Sequence, residues 1–343
     1  MLIIRPITMS DLPALLGLAG RTGIGMTTLP SSEEPLRKRI EASLASFAGA
    51  ADRADEIYMF VLDDTASGKI AGTAAIVAAV GLRQAFYSYR VGLTVHASEE
   101  LGIFTKTPTL FLSNDHTGNS ELCSLFLDAG YRGGQNGALL SKSRFLFMAN
   151  FREHFADRTI AELRGLSDES GRSPFWDGVG RHFFSMEFSR ADYLTGIGKK
   201  AFVAELMPKH PLYSSLLSTE AQAAIGVTHP KTRGAQTLLQ EEGFRFEGHV
   251  DIFDAGPTYE CSTDAIGAVA ASRVYGLSTA GAESQAKPWL LANTRFGDFR
   301  VIAAPATIKG ADICVDEAAA IALGLHPGDA VRAVAVAPAD RTP

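Results

Sequence analysis

The sequence is poor in cysteine, and its three cysteines lie far apart. They stand at positions 123, 261 and 314 of 343 residues, without the CxxC spacing of common zinc and redox motifs. Free thiols of this kind are typical of proteins in a reducing compartment and do not form a disulfide framework. We therefore expect a cytoplasmic protein with no metal site.

The sequence also lacks long apolar runs and blocks of basic residues. A membrane-spanning helix needs about 20 consecutive apolar residues, and no segment approaches that length. Lys and Arg number 32 against 38 for Asp and Glu, a formal net charge of −6. Neither nucleic acid nor a membrane is an expected partner. The first residues, MLIIRPITMSD, begin like a folded strand and not like a targeting segment.

What is present is ample core material, with 46% hydrophobic residues. The length exceeds that of one ordinary domain. Strand and helix patterns alternate irregularly, which predicts an α+β chain with a main domain over residues 1–280 and an inserted helical region near 166–228. Short strand patterns with a single short helix predict a small, barrel-like β-rich module over 288–338, after a polar linker.

The most informative stretch covers residues 120–144, SELCSLFLDAGYRGGQNGALLSKSR. Leu122–Leu127 has the length of a buried strand, Tyr131–Gly137 is a glycine-rich turn, and Ala138–Phe147 has a helical pattern. A glycine turn at a helix N-terminus presents main-chain N–H groups that suit a phosphate or pyrophosphate. A plain turn between a strand and a helix has the same pattern, so these residues alone leave both interpretations open.

The order of these elements resembles the acyl-CoA-dependent N-acyltransferase (GNAT-like) superfamily, whose pyrophosphate motif is Q/R-x-x-G-x-G/A. The motif matches at its first and last positions, with Gln where Gly is usual, in Arg132, Gly133, Gly134, Gln135, Asn136 and Gly137. The implied fold is a mixed central sheet with flanking helices, with the small β-rich module added.

Longer segments are similar to the bacterial arginine N-succinyltransferase family. They are GMTTLP (25–30), FYSYR (86–90), SPFWDGVGRHFFSMEF (173–188), AELMPKHPLY (204–213), THP (228–230) and DIFDAGPT (251–258). The resemblance implies transfer of a succinyl group from succinyl-CoA to the α-amine of L-arginine, the first step of an arginine degradation route. It also implies a homo-oligomer or pairing with a related subunit.

Two residues are implied for the transfer step itself. The superfamily binds the thioester carbonyl through a main-chain N–H on the strand before the glycine turn, and the resemblance places this contact at Leu125. The family's proton donor lies in the THP segment, at His229. Without the resemblance, Leu125 is a core strand residue and His229 is one of 8 histidines, in a turn. His116 is the second choice for the proton donor.

Substrate binding requires charged partners for the guanidinium and for the carboxylates. Asp251 and Asp254 are candidates for the guanidinium, and Arg90 is a candidate for a carboxylate. Solvated turn residues and a salt bridge at a strand edge would explain the same residues without a substrate. Other hypotheses remain open: an acyltransferase that prefers ornithine or another amine, a non-catalytic subunit that binds acyl-CoA, and a scaffold that uses the C-terminal module.

Overall fold

The computed structural model describes residues 1–22, 27–196, 205–281 and 286–336. In these ranges the chain forms a mixed, 16-stranded β-sheet with helices packed on its faces. This is the predicted α+β arrangement of a mixed central sheet with flanking helices. The helices in the described part of the chain are all too short or too polar to span a lipid bilayer.

The N-terminal part of the chain builds the centre of the sheet and the helices on either side. Its elements are β1 (Leu2–Pro6), α1 (Leu12–Ala19), α2 (Glu33–Phe47), β2 (Ile57–Asp64), β3 (Lys69–Val77), β4 (Ser88–Ser98), β5 (Ile103–Ser113), β6 (Ser120–Leu127), α3 (Asn136–Asn150) and β7 (Arg158–Glu162).

A helical region follows β7, and three more elements complete this part of the sheet. The region contains α4 (Pro174–Gly178), α5 (Gly180–Phe184), α6 (Phe188–Gly196), the short strand β8 (Leu212–Tyr213) and α7 (Thr219–Ala224). After it come α8 (Arg233–Glu241), β9 (Arg245–Val250), β10 (Pro257–Ser262) and α9 (Gly267–Ala271).

The C-terminal elements form one end of the same sheet. They are β11 (Arg273–Ser278), β12 (Pro288–Asn293), β13 (Val301–Pro305), β14 (Thr307–Lys309), β15 (Asp312–Cys314), α10 (Glu317–Leu323) and β16 (Ala330–Ala335). β11 precedes the predicted linker, yet it pairs with β15 and β16. The C-terminal group of strands therefore begins at Arg273, before the predicted start at residue 288. Residues 337 and 338, the predicted end of the module, lie outside the described part of the chain.

The order of strands in the sheet is β14-β15-β11-β16-β12-β13-β1-β2-β3-β6-β7-β10-β9-β4-β5-β8. β6 and β7 are parallel, whereas their outer neighbours β3 and β10 run antiparallel to them. One apolar layer lies between the sheet and α3, around Phe145 and Phe147. A second layer lies on the opposite face, between the sheet and the pair α1 and α2.

A buried ion pair joins three parts of the structure at the back of α3. Lys142 Nζ lies 2.9 Å from Glu242 Oε1, and both side chains are almost completely buried. Lys142 Nζ also donates to the main-chain carbonyl of Val336 at 3.4 Å. Burying two charges is costly unless they are paired and hydrogen-bonded, as they are here. The contact fixes α3, and with it the glycine turn that precedes this helix.

Local predictions differ from the structure at two places. The Ser173-Pro174 pair predicts a capped helix with Phe175, Trp176, Val179, Phe183 and Phe184 in the core. Ser173 does cap a helix, its hydroxyl accepting from Trp176 N–H, but this helix ends at Gly178 and a second helix follows. In that second helix Phe183 is 39% exposed, so its predicted core position is wrong. The apolar pattern after Gly243 also predicts paired strands that include Ile252 and Phe253, but both residues lie in the turn between β9 and β10.

Candidate active site

The cleft between β6 and β7 is the feature around which the candidate residues gather. The two strands pair only at their beginnings, Ser120 with Thr159 and Glu121 with Ile160. Beyond these positions β6 continues to Leu127 without a pairing to β7. Main-chain groups on this side of β6 therefore face an opening and not a neighbouring strand. A strand edge of this kind can bind a ligand through its N–H groups.

A β-bulge lies in the part of β6 that borders the cleft. Ser124 has a φ of 52°, and the register with β3 shifts at this point. The bulged residue is held from the α1–α2 loop, because Ser124 N donates to Thr28 Oγ1 at 3.1 Å and Ser124 Oγ donates to Thr28 O at 2.7 Å. Thr28 lies in the GMTTLP segment, of which residues 25 and 26 are outside the described ranges.

The bulge determines the direction of the Leu125 N–H. Asp128 N donates to Ala71 O across the β3 side of the strand at 2.8 Å. Successive main-chain N–H groups of a strand point to opposite sides. Leu125, three residues before Asp128, therefore directs its N–H away from β3 and into the cleft. Its side chain packs against the apolar core on one face of the sheet.

The glycine turn lies at the end of β6 and leads into α3. Gly133 and Gly134 have φ values of 112° and 54°, a region that favours glycine. None of the described residues accepts a hydrogen bond from the main-chain N–H groups of residues 133–137. Main-chain donors of this kind, at the positive end of a helix dipole, suit an anion.

Side chains of the motif hold the turn in place. Arg132 Nε donates to Leu127 O at 3.1 Å, and Asn136 Nδ2 donates to Tyr131 O at 3.0 Å. Gln135 has a φ of −102° and accepts from Leu139 N through its carbonyl at 2.8 Å. Because this φ is open to any residue, the absence of Gly from position 135 does not strain the turn.

His229 lies at the end of β7, on the other wall of the cleft. Its main-chain N–H donates to Arg164 O at 2.8 Å, two residues beyond the last residue of β7. Its ring is buried, and Nδ1 accepts from Lys231 N at 3.1 Å. Burial and the nearby Arg164 guanidinium lower the pKa of His229 below its usual value. The ring is therefore neutral at pH 7.

Asp254 joins the β9–β10 turn to the segment after β7 that also contacts His229. Its carboxylate accepts from Gly165 N at 2.7 Å and from Gly256 N at 2.8 Å. Burial, followed by the proximity of Asp251, raises the pKa of Asp254 well above its usual value. Asp251 Oδ1 accepts from the N–H groups of Phe253 and Asp254. Both aspartates thus have main-chain partners that shape the turn, and their assignment to the guanidinium stays a prediction.

Arg90 and His116 lie together in a separate cluster. Arg90 is exposed on β4, with Nη1 4.0 Å from Asp115 Oδ2. His116 is buried, its ring centroid is 4.4 Å from that of His249, and burial lowers its pKa to about 4. Among the described contacts, none joins this cluster to His229. The structure thus places Leu125 and the glycine turn along β6, and His229 and Asp254 at the segment after β7, whereas Arg90 lies with His116 and His249.

Comparisons with known proteins agree on one family. A family model described as "Arginine N-succinyltransferase beta subunit" matches residues 2–268, and the model of its C-terminal domain matches residues 273–335. The chain is 55% identical to the arginine N-succinyltransferase subunit beta of Pseudomonas aeruginosa, covering 97% of this chain and 98% of that protein. An arginine N-succinyltransferase of Escherichia coli is 49% identical, with complete coverage of both chains.

The chain belongs to the arginine N-succinyltransferase family. A solved structure supports the fold: subunit AI of the arginine/ornithine succinyltransferase from Pseudomonas aeruginosa has a TM-score of 0.91 and 39% identity, and the match covers 98% of this chain and 99% of that one. The resemblance and the GNAT-like fold inferred from the sequence are thereby confirmed.

Two arginines at the cleft were missed by the sequence analysis. Arg39 Nη2 reaches Ser124 Oγ at 3.4 Å from α2, and Arg164 Nη2 donates to Ser167 Oγ at 2.6 Å. The Nε atoms of both are buried and have no hydrogen-bond partner among the described residues. The sequence contains no signal for Arg39, because its place in the helical pattern of α2 predicts only a solvent-exposed residue on the polar face of an amphipathic helix.

The lowered pKa of His229 predicts a pH dependence of stability. A histidine whose pKa is lower in the folded state than in the unfolded state resists protonation on folding. The free energy of unfolding therefore falls as the pH drops below 6.5, where the unfolded chain takes up the proton first. In His229→Asn the amide oxygen can still accept from Lys231 N. We expect wild type to lose a few tenths to about 1 kcal/mol more than this variant between pH 7.5 and 5.5.

Urea unfolding of both proteins at the two pH values measures this difference. His116 contributes a loss of the same sign, but it is present in both proteins and cancels. An equal loss in wild type and variant would show that the His229 ring titrates normally in the folded chain.

Proposed function

We propose that this chain transfers the succinyl group of succinyl-CoA to the α-amine of L-arginine, giving N2-succinylarginine and CoA in arginine catabolism. Membership of the arginine N-succinyltransferase family supports this acyltransferase activity. The observation that carries the proposal is the divergence of β6 and β7 after Glu121, which leaves main-chain groups of β6 without a partner strand. The Leu125 N–H faces the opening from β6, and His229 is anchored at the end of β7.

The cofactor is proposed to bind along β6 and the glycine turn. The diphosphate of CoA would accept from the N–H groups of residues 133–137, with the exposed Arg132 beside it. The thioester carbonyl would accept from the Leu125 N–H, a fixed main-chain donor at the position where negative charge develops in the transition state. This arrangement requires no metal ion and no covalent intermediate.

His229 is proposed to relay the proton from the amine to the leaving sulfur. As the C–N bond forms, the attacking nitrogen becomes strongly acidic and its proton passes to the neutral imidazole. The imidazolium then protonates the sulfur as the C–S bond breaks, which leaves CoA as a thiol. Because Nδ1 holds the Lys231 N–H at 3.1 Å, the ring must release this contact when it accepts the proton.

The activity is tested by the release of free thiol. Wild type should release CoA only when succinyl-CoA and L-arginine are both present, and His229→Asn should lower kcat by ~10²-fold or more. The variant should keep its affinity for CoA, because the glycine turn is unchanged. Equal concentrations of arginine and ornithine in one assay determine which amine is preferred. A wild-type chain without thiol release would favour a non-catalytic, CoA-binding subunit instead.

Arg39 is proposed to bind the carboxylate of the succinyl group. Its side chain reaches the bulge at Ser124, next to the residue assigned to the thioester carbonyl, and its Nε is buried without a partner. A buried guanidinium group of this kind is stabilised by a carboxylate that forms two parallel hydrogen bonds with it. Arg164, beside His229, is the corresponding candidate for the carboxylate of arginine.

The substitution Arg39→Met should raise the KM for succinyl-CoA by about 10- to 100-fold, the range for a charge-assisted hydrogen bond. The Kd of CoA, which has no succinyl carboxylate, should stay the same. Arg37→Met is the matched control, since Arg37 lies on the same helix and bonds the exposed Glu33. An unchanged KM in Arg39→Met, or an equal rise for acetyl-CoA, would contradict the assignment.

Assembly with a second copy of this chain is proposed through the β4–β5 hairpin. On one face of the hairpin, Val91 and Leu110 belong to the apolar cluster beneath the helical region. The same face continues outward to Leu93, Val95 and Phe104, which are 64%, 51% and 64% exposed. An exposed apolar surface that continues a core is typical of a subunit contact.

The double substitution Leu93→Asp with Phe104→Asp should convert an oligomeric wild-type chain to a monomer in light-scattering measurements. Its thermal unfolding should stay cooperative, because both positions lie outside the core. Thr105→Asp, on the opposite face of the same hairpin, should leave the assembly intact. A monomeric wild-type chain at micromolar concentration would refute self-association and favour a related subunit as the partner.

A further inference from the structure

Three buried side chains outside the cleft converge on one point. His116 lies in the loop before β6, His249 lies in β9 and Glu260 lies in β10. Their exposed fractions are 2%, 8% and 5%. One potential ligand atom from each residue lies within 4.8 Å of those of the other two. The mechanism proposed for the cleft uses none of them.

Each of the three residues has one buried polar atom without a hydrogen-bond partner. These atoms are His116 Nε2, His249 Nδ1 and Glu260 Oε1. His249 Nδ1 lies 3.4 Å from Glu260 Oε1, but the contact does not have the geometry of a hydrogen bond. Leaving a buried donor or acceptor unsatisfied costs about 1–3 kcal/mol. Two of these atoms, His249 Nδ1 and Glu260 Oε1, form an ion pair when the ring is protonated, and an ion bound among the three atoms would give each of them a partner.

The remaining polar atoms of the same side chains do have partners. His249 Nε2 lies 3.2 Å from Asp115 Oδ2, and Glu260 Oε2 is paired with Arg158. His116 Nδ1 lies 3.3 Å from the Asn119 amide, whose oxygen and nitrogen can exchange places by rotation. Outer contacts of this kind orient histidine and carboxylate groups that bind metal ions.

We propose that His116, His249 and Glu260 bind a divalent transition-metal ion, with Zn²⁺ as the best fit and water as the fourth ligand. Two imidazoles and one carboxylate suit Zn²⁺, whereas Mg²⁺ and Ca²⁺ prefer oxygen ligands. Neighbouring ligand atoms of a tetrahedral Zn²⁺ are about 3.3 Å apart, so distances between these atoms, now within 4.8 Å, would shorten by up to about 1.5 Å on binding. The cysteines, on which the expectation of no metal site was based, do not take part.

The ion would connect three elements beside the closed end of the cleft. The His116 loop leads directly into β6, and Glu260 is paired with Ile160 of β7 in the sheet. A metal ion at this place would fix the start of β6, and therefore the strand that carries Leu125. Its role is structural, and the proton relay at His229 does not depend on it.

Zinc binding by the full chain tests this proposal. The purified protein is stripped with a chelator, dialysed and titrated with ZnCl₂ in a calorimeter, and its thermal unfolding is followed with and without zinc. We expect one ion per chain and a higher unfolding temperature with zinc. Glu260→Gln and His116→Gln should each weaken binding by at least 10-fold. His210→Gln, which alters an exposed histidine, should bind as wild type does.

Asp115→Asn tests the same site without altering a ligand. Asp115 is half exposed and contacts His249 from outside, so the variant should fold and should weaken zinc binding by about 10- to 100-fold. Wild type whose unfolding temperature does not respond to zinc would overturn the proposal. The same conclusion follows if all variants bind zinc as tightly as wild type. The three side chains would then be a metal-free ion-pair cluster around a protonated His249.

Discussion

The separation of two parallel strands is the constraint on which the candidate site depends. β6 and β7 are held together at Ser120 and Glu121 and then diverge, so the main-chain groups of β6 lose a partner in the sheet. Unpaired N–H groups in a protein interior are costly unless a ligand or water binds them. The bulge at Ser124 directs one of these groups, at Leu125, into the opening. The fold thus provides a fixed donor whose position does not depend on a flexible side chain.

The wall opposite β6 depends on an unusually close approach of two chain segments. A Cβ atom on Gly256 would lie 2.0 Å from Leu163 O, and one on Gly165 would lie 2.3 Å from Asp254 O. Only glycine fits at either position. The buried Asp254 carboxylate joins these segments through main-chain N–H groups, and Arg164 between them holds the main chain of His229. The position of the imidazole is therefore set by main-chain contacts from three separate parts of the sequence.

Buried charge is concentrated near the cleft and behind α3. The pair Lys142–Glu242 anchors the middle of α3, while the N-terminus of the same helix carries the glycine turn. Arg39 and Arg164 are held at the cleft with unpaired Nε atoms. In the proposed reaction the succinyl carboxylate and the carboxylate of arginine would satisfy these groups, which the folded chain leaves unsatisfied. Such arrangements sacrifice some stability for binding, as is common at functional sites.

Much of this protein could be read from its sequence because the relevant signals are local. The apolar runs of β2 and β3, the N-cap at Ser173 and the glycine turn at 131–137 depend on residues that are neighbours in the chain. The long segments similar to the arginine N-succinyltransferase family identified both the family and the fold. They also indicated Leu125 and His229, whose roles in the reaction stay predictions.

The tertiary structure alone decided which distant residues meet. Arg39 reaches the bulge across more than eighty residues of sequence, and His116, His249 and Glu260 come from a loop and two strands that only the order of the sheet makes neighbours. Arg90 lies with this cluster for the same reason, and the aspartates of the β9–β10 turn have main-chain partners that no spacing pattern reveals. Local patterns specify elements, because helix and strand periodicities act over a few residues. The partner of a buried charged group depends on strand order and packing, which no short stretch of sequence contains.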